Sequence, residues 1–268
     1  MTAIDITNIC FGYETYEVLH NINLHIDEGS LAVVVGPNGS GKTTLLKLII
    51  GLLTPRYGEI RIFGEAPVGH RRDVGYVPQF MMFDTKFPIS ALDVVLMGRV
   101  ERHGFGGYDK HDRLVASDCL KHVGLEGFER HQFSDLSGGQ RQRVLIAQAL
   151  ASEPKILLLD EPAANLDVPG AEAIYQLLKE LNAKLTIVMV SHNLNMVESF
   201  ASHVICVNHT ADMHRISEVS STALAAGNWL HLFHDHCPID LSAAEACSHC
   251  HTPHLGAAHA SQDISHHS

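Results

Sequence analysis

Gly36-Pro37-Asn38-Gly39-Ser40-Gly41-Lys42-Thr43 keeps the spacing G-x-x-x-x-G-K-T, and no other stretch restricts the fold as strongly. Its glycines let the backbone curl where side chains would block it. It is preceded by Leu31–Val35, a run with no polar residue, as a strand buried on both faces requires. It is followed by a helix-like run over 44–52. Strand, glycine turn and helix in that order predict an α/β domain with an anion site at the turn. Successive N–H groups face one anion, and the helix adds its positive end. Lys42 supplies a charge for the β and γ phosphates, and Thr43 a hydroxyl for Mg²⁺. A tight glycine turn without a ligand would not need the Lys-Thr pair, so the phosphate reading is preferred.

The surrounding chain fits. Strand-like segments at 4–10, 18–26 and 59–63 and again at 156–160, 186–191 and 203–207 alternate with helical ones. Helices are predicted over 91–99, 112–123, 139–151 and 169–181. A helical block over about 80–151 therefore interrupts an α/β core. With 268 residues, 46% hydrophobic and 18% charged, the chain is no disordered, collagenous or disulfide-scaffold protein. Its apolar runs are far shorter than the ~20 residues of a membrane-spanning helix. A net charge of −11 argues against gripping nucleic acid. Six cysteines do not make a disulfide framework, and no secretory signal is read at the start, so a cytoplasmic setting is expected.

A second acidic site follows the apolar run 156–159, whose end presents Asp160 and Glu161. Adjacent acids at a strand end are often only solvated. Beside a phosphate loop, Asp160 suits Mg²⁺ and Glu161 suits the polarisation of an attacking water.

Leu136-Ser137-Gly138-Gly139-Gln140 is similar to the signature motif of ATP-binding cassette (ABC) ATPases. The phosphate loop, this pentapeptide, an apolar run ending in Asp-Glu and a later histidine occur in the family's order over roughly residues 1–210. The resemblance implies a P-loop NTPase core of the ABC type, with an N-terminal antiparallel β part and an inserted helical subdomain. It also implies roles. Tyr13, 23 residues before Gly36, matches the aromatic that stacks on adenine, with Tyr16 a second candidate. The loop through Thr44 holds phosphates. Thr43, Gln79 and Asp160 serve Mg²⁺, Glu161 is the general base, and His192 contacts the γ-phosphate. Asn165-Leu166-Asp167 crosses a dimer interface. Ser137, Gly138, Gly139 and Gln140 complete the nucleotide site of a second subunit packed head to tail. The chain carries one such set, so a homodimer or a related second chain is expected.

Gln79 and Ser137 lie 58 positions apart, too few for the long coiled coil of structural-maintenance ATPases. Transport is therefore favoured over DNA or ribosome work. The segment 87–99 resembles the corresponding stretch of zinc and manganese importers, and more loosely that of siderophore and cobalamin importers. Phe80-Met81-Met82-Phe83-Asp84 suits an adaptable apolar groove for a permease helix. The stretch 163–166 reads Ala-Ala-Asn-Leu where that importer group more often has Phe-x-Gly-Val.

Composition changes near Gly227. No Lys or Arg follows Arg215, and residues 228–268 hold nine histidines and three of the six cysteines. His231, His234, His236 and Cys237, then Cys247, His249, Cys250, His251 and His254, form two clusters whose donors favour Zn²⁺ over Mn²⁺ or Mg²⁺. A low-complexity tail is the plain alternative. The expectation is an ABC ATPase domain over 1–227 with a metal-binding tail over 228–268. Its cofactors are ATP and Mg²⁺, with Zn²⁺ in the tail. It would sit at the cytoplasmic face of the inner membrane, driving a separate permease served by an extracytoplasmic metal-binding protein. Zinc ranks ahead of manganese and iron as cargo. A soluble ABC ATPase with a metal-storage tail is the alternative of another class.

Overall fold

A computed structural model describes residues 1–14, 16–79, 87–100, 107–191 and 201–215. Leu31–Val35 (β3), Ile156–Asp160 (β6) and Thr186–Val190 (β7) are buried at every position. They lie in a six-stranded sheet with Val74–Val77 (β5), His203–Asn208 (β8) and Thr210–Arg215 (β9), in the order β5-β6-β7-β3-β8-β9. All neighbours are parallel except β8 and β9. Each continuous apolar run feeds two cores. Leu31, Val33 and Val35 pack on one face with Leu157, Leu159, Ile187 and Met189. Ala32 and Val34 pack on the other with Ile156, Leu158, Val188 and Val190. A strand covered on both sides favours apolar residues at successive positions, which is why 31–35, 156–159 and 187–190 carry no alternation.

The second core lies under Lys42–Ile49 (α1) and a three-stranded antiparallel sheet. That sheet is formed by Thr2–Tyr13 (β1), Tyr16–Asp27 (β2) and Tyr57–Ile62 (β4), in the order β2-β1-β4. The first core lies under Ala91–Met97 (α2), Lys110–His122 (α3), Gly138–Ala151 (α4) and Val168–Asn182 (α5). The expected N-terminal antiparallel part and inserted helical block are both present.

Buried Arg99 ties the helical block together. It donates to Asp112 Oδ1 at 2.9 Å, to the Ala151 carbonyl at 3.0 Å and to Glu153 at 3.0 Å, and both Arg99 and Asp112 are nearly inaccessible. Strands β5 and β9 were not expected from sequence. The former is four residues with a glycine, and every residue of the latter keeps partial exposure. The tail, the boundary at 227, His192 and residues 80–84 lie outside the described residues.

Candidate functional site

The glycine turn leaves β3 at Gly36, whose φ is 156°, and enters α1 at Gly41, whose φ is 102°. Both positions are also crowded. A Cβ on Gly36 would stand 2.0 Å from the Val207 carbonyl oxygen, and one on Gly41 would stand 2.6 Å from Leu19 Cδ2. The turn is thus wedged between β8 and the start of β2.

Capping separates α1 from the other helices. Ser90, Asp109, Ser137 and Asp167 each accept a first-turn amide at the starts of α2, α3, α4 and α5. The N-cap of α1 is Gly41, with no side-chain cap and no acid in the first turn. The first N–H groups of a helix have no intrahelical acceptor, so this end is built to receive an external one.

Lys42 is buried at 7% exposure, and its ammonium donates to the carbonyls of Gly36 at 3.0 Å and Pro37 at 2.8 Å. Desolvation lowers its pKa, against the pull of Glu161 and Asp160. An anion beside it would relieve that cost.

Across the turn, Thr43 donates its hydroxyl to Asp160 Oδ2 at 2.7 Å. Asp160 is 1% exposed, and its Oδ1 is buried without a hydrogen-bond partner, as is Ser40 Oγ beside the loop. Desolvation raises the pKa of Asp160, opposed by the Thr43 hydrogen bond. A buried carboxylate oxygen in need of a partner, next to a threonine hydroxyl and a lysine, is a donor set that fits a hard cation such as Mg²⁺.

Glu161 leaves the strand in a left-handed conformation, φ 51°, fixed by its amide donating to the Val190 carbonyl at 3.2 Å. Its carboxylate accepts from Gln79 Nε2 at 2.8 Å. The glutamine thereby keeps Oε1 as an acceptor. Gln79 follows β5, which pairs with β6 and carries Tyr76; burial and then the Asp160 charge push Tyr76 up to about 12. Tyr76 was not singled out from sequence, because only strand pairing brings it here.

Tyr13 ends β1 at 48% exposure, edge-on to Phe11, and its backbone partner Tyr16 lies edge-on to His209. His209 is a second residue that sequence reasoning missed. It sits in the β8–β9 turn at φ 64°, donates its amide to the Ser40 carbonyl at 3.3 Å, and has Nδ1 3.1 Å from the Val18 carbonyl oxygen. Turn geometry alone would not have marked it.

At the start of α4 the Ser137 hydroxyl accepts from the Gln140 amide at 3.3 Å, and Gln140 Oε1 accepts from the Ser137 amide at 2.9 Å. This capping box uses the hydroxyl expected for a second subunit's phosphate on the Gln140 amide, while the first-turn amides of Gly138 and Gly139 have no intrahelical acceptor. Leu166 lies against Gly138, where a Cβ would be 3.5 Å from Leu166 Cδ2. The structure therefore brings together Gly36–Thr44, Gln79, Asp160 and Glu161, and separately the 137–140 turn and the 165–167 loop. Ser191, just before His192, follows β7 and its hydroxyl lies 3.1 Å from the Tyr175 hydroxyl.

Residues 19–164 match the family described as ABC transporter. The chain is 37% identical over 211 residues to the zinc uptake system ATP-binding protein ZurA of Listeria innocua, covering 76% of this chain and 82% of that one. It is 40% identical over 210 residues to the manganese transport system ATP-binding protein MntB of Bacillus subtilis, covering 78% and 84%. Among solved structures, it is similar to an ABC transporter in an inward-facing conformation, with a TM-score of 0.76, 31% identity and coverage of 86% and 90%. A bacterial ABC transporter cassette solved as a dimer gives a TM-score of 0.67 at 33% identity, with coverage of 80% and 98%.

Proposed function

This chain belongs to the ABC transporter family of ATP-binding subunits, and from that premise we propose that it drives zinc uptake. It is an ATPase, converting ATP and water to ADP and phosphate, and it serves a metal transport system as a dimer with a membrane permease. The observation that carries the reading is the uncapped start of α1 facing the Thr43–Asp160 and Gln79–Glu161 pairs.

In this proposal Lys42 and the backbone amides of 38–44 hold the phosphates, and Tyr13 stacks on the adenine. Thr43, Gln79 and Asp160 would hold Mg²⁺, which when bound neutralises charge on the phosphate oxygens. Glu161 takes the proton from water as it attacks the γ-phosphorus, and Gln79 fixes the carboxylate in place. His192, two positions beyond β7 in the sequence, is assigned the γ-phosphate contact, and β7 lies between β3 and β6. The 137–140 turn of one subunit caps the nucleotide held by the other, so ATP joins the dimer and hydrolysis releases it.

A cleft of roughly 250 Å³ runs between Tyr76 and Pro78 on one side and Met97, Gly98 and Gln148 on the other. Met97 and Val100 in its lining are exposed at 40% and 61%, and Pro78, also in the lining, immediately precedes Gln79, which bonds Glu161. We assign this cleft to the permease. A permease helix seated there would sense the Gln79–Glu161 contact. No helix among the described residues is long and apolar enough to cross a membrane. A peripheral position on the cytoplasmic face of the inner membrane is part of this reading, supported by relatives named as ATP-binding proteins of transport systems.

Zinc is preferred for two reasons: a relative is named for zinc, and the donors in 228–268 are imidazoles and thiols. Manganese is the second reading, favoured by the MntB likeness. The domain 1–227, the tail, import as the direction and an extracytoplasmic metal-binding protein are parts of the same proposal. The test is metal accumulation in cells carrying the chain with its permease, beside Lys42→Ala. Zinc accumulation that depends on Lys42 is the expected result. Dependence of manganese but not zinc would overturn the zinc assignment, and dependence of neither would overturn metal uptake.

A further inference from the structure

The hairpin of β1 and β2 gathers a thiol, a carboxylate and an imidazole away from the phosphate loop. Glu17 and His20 are three positions apart on β2 and would face opposite sides of a regular strand. The pairing with β1 shifts register between Ile9 and Phe11, and Asn21 is left-handed at φ 48°. Such irregularity re-aims side chains. It brings one ligand atom each of Cys10, Glu17 and His20 within 4.8 Å of one another.

Three features suit a metal. His20 Nδ1 is 3.3 Å from Glu17 Oε1, already the edge length of a tetrahedral zinc site, where bonds of 2.0–2.3 Å place ligands about 3.3–3.8 Å apart. The Asn21 amide donates to Cys10 Sγ at 3.3 Å, an interaction that favours the thiolate a metal needs. Cys10 is buried, whereas Glu17 and His20 keep 22% and 19% side-chain exposure, so an ion can enter from solvent and keep a water as fourth ligand. A simple Glu–His surface pair would not require a buried sulfur turned to the same point.

The trio also adjoins the nucleotide turn. The His20 amide donates to the His209 carbonyl at 2.7 Å, and the His209 amide donates to the Ser40 carbonyl at 3.3 Å. Leu19, between Val18 and His20, lies against Gly41.

We propose that Cys10, Glu17 and His20 form a site for a zinc-class divalent cation whose occupancy is linked to nucleotide binding. The donor set takes such an ion whichever metal is transported, so failure of the zinc-uptake reading leaves it standing. The test uses Co²⁺ as probe on the full chain with Cys237, Cys247 and Cys250 changed to Ser. Tail histidines then bind cobalt without a thiolate band. The expected result is a cobalt–thiolate absorption in the near ultraviolet that disappears in Cys10→Ser. Glu17→Gln and His20→Ala should weaken it about tenfold or more. These two partly exposed positions keep the test decisive if the buried Cys10→Ser does not fold. No band, or a band unchanged in both variants, overturns the site. ATP affinity in excess Mg²⁺ should change about fivefold or more on adding Co²⁺, with no change in His20→Ala. Equal ATP affinity with and without bound cobalt overturns the linkage.

Discussion

A carboxylate at 1% exposure with one oxygen unpartnered is held against its own desolvation, and Asp160 is in that position. Its folded pKa is raised above 3.8 by burial. Below that value the group is neutral folded and unfolded alike and costs nothing. As pH rises through the folded pKa, only the folded state must ionise it in a poor dielectric, so stability is lost. Asp160→Asn should therefore be more stable than the parent in urea at pH 7, with the gap closing toward pH 3.8. Its ATP turnover should fall about a hundredfold or more. Glu161→Gln tests the base assignment. ATP binding should persist while turnover drops about 10²–10⁴-fold in a phosphate-release assay. Normal turnover would remove Glu161 from that role. Spacing alone marked Lys42, Thr43, Asp160 and Glu161, because each lies at a fixed offset from a strand end or a helix start, whereas Gln79 was marked only by the family resemblance. Tyr76 and His209 escaped it, since each reaches the site from its own strand or turn through pairing between segments far apart in sequence.

The elements follow the same division. Mainly apolar runs marked β3, β6 and β7, and the caps Ser90, Asp109, Ser137 and Asp167 set four helix starts within two residues of where periodicity put them. The edge strand β9 alternates only Ala211 and Met213, which pack on the second core, with Asp212 and His214, too short a pattern to announce it; its backbone pairing with β8 makes it a strand. The helical block depends on an element-level tie that no local pattern encodes. Arg99 after α2 meets Asp112 in α3 and the carbonyl that ends α4. Arg99→Met would leave Asp112 buried and charged. It should cost about 3–5 kcal/mol in urea unfolding, a loss that a surface ion pair would not produce.

At the scale of the whole molecule, the proposed head-to-tail dimer has the signature turn and the phosphate loop act in different copies of the chain. Gly139 has open space where a Cβ would stand, so Gly139→Asp is tolerated locally and favoured by the helix dipole. Facing a phosphate from a second subunit, the same charge should repel. Glu161→Gln should elute as an ATP-dependent dimer in size-exclusion chromatography, and adding Gly139→Asp should return it to monomer while ATP binding persists. A dimer that survives both changes would refute the head-to-tail arrangement. The sequence by itself determined the α/β class, the phosphate turn, the acidic pair and the family, because each is carried by residue types at short, fixed spacings that obey local sterics and periodicity. Only the tertiary structure decided that Gln79 bonds Glu161, that Asp160 keeps an unpartnered oxygen, that His209 reaches the loop and that Cys10 joins Glu17 and His20. Those contacts join segments tens of residues apart or depend on one shifted register, and only the packing of the sheets sets which side chains meet.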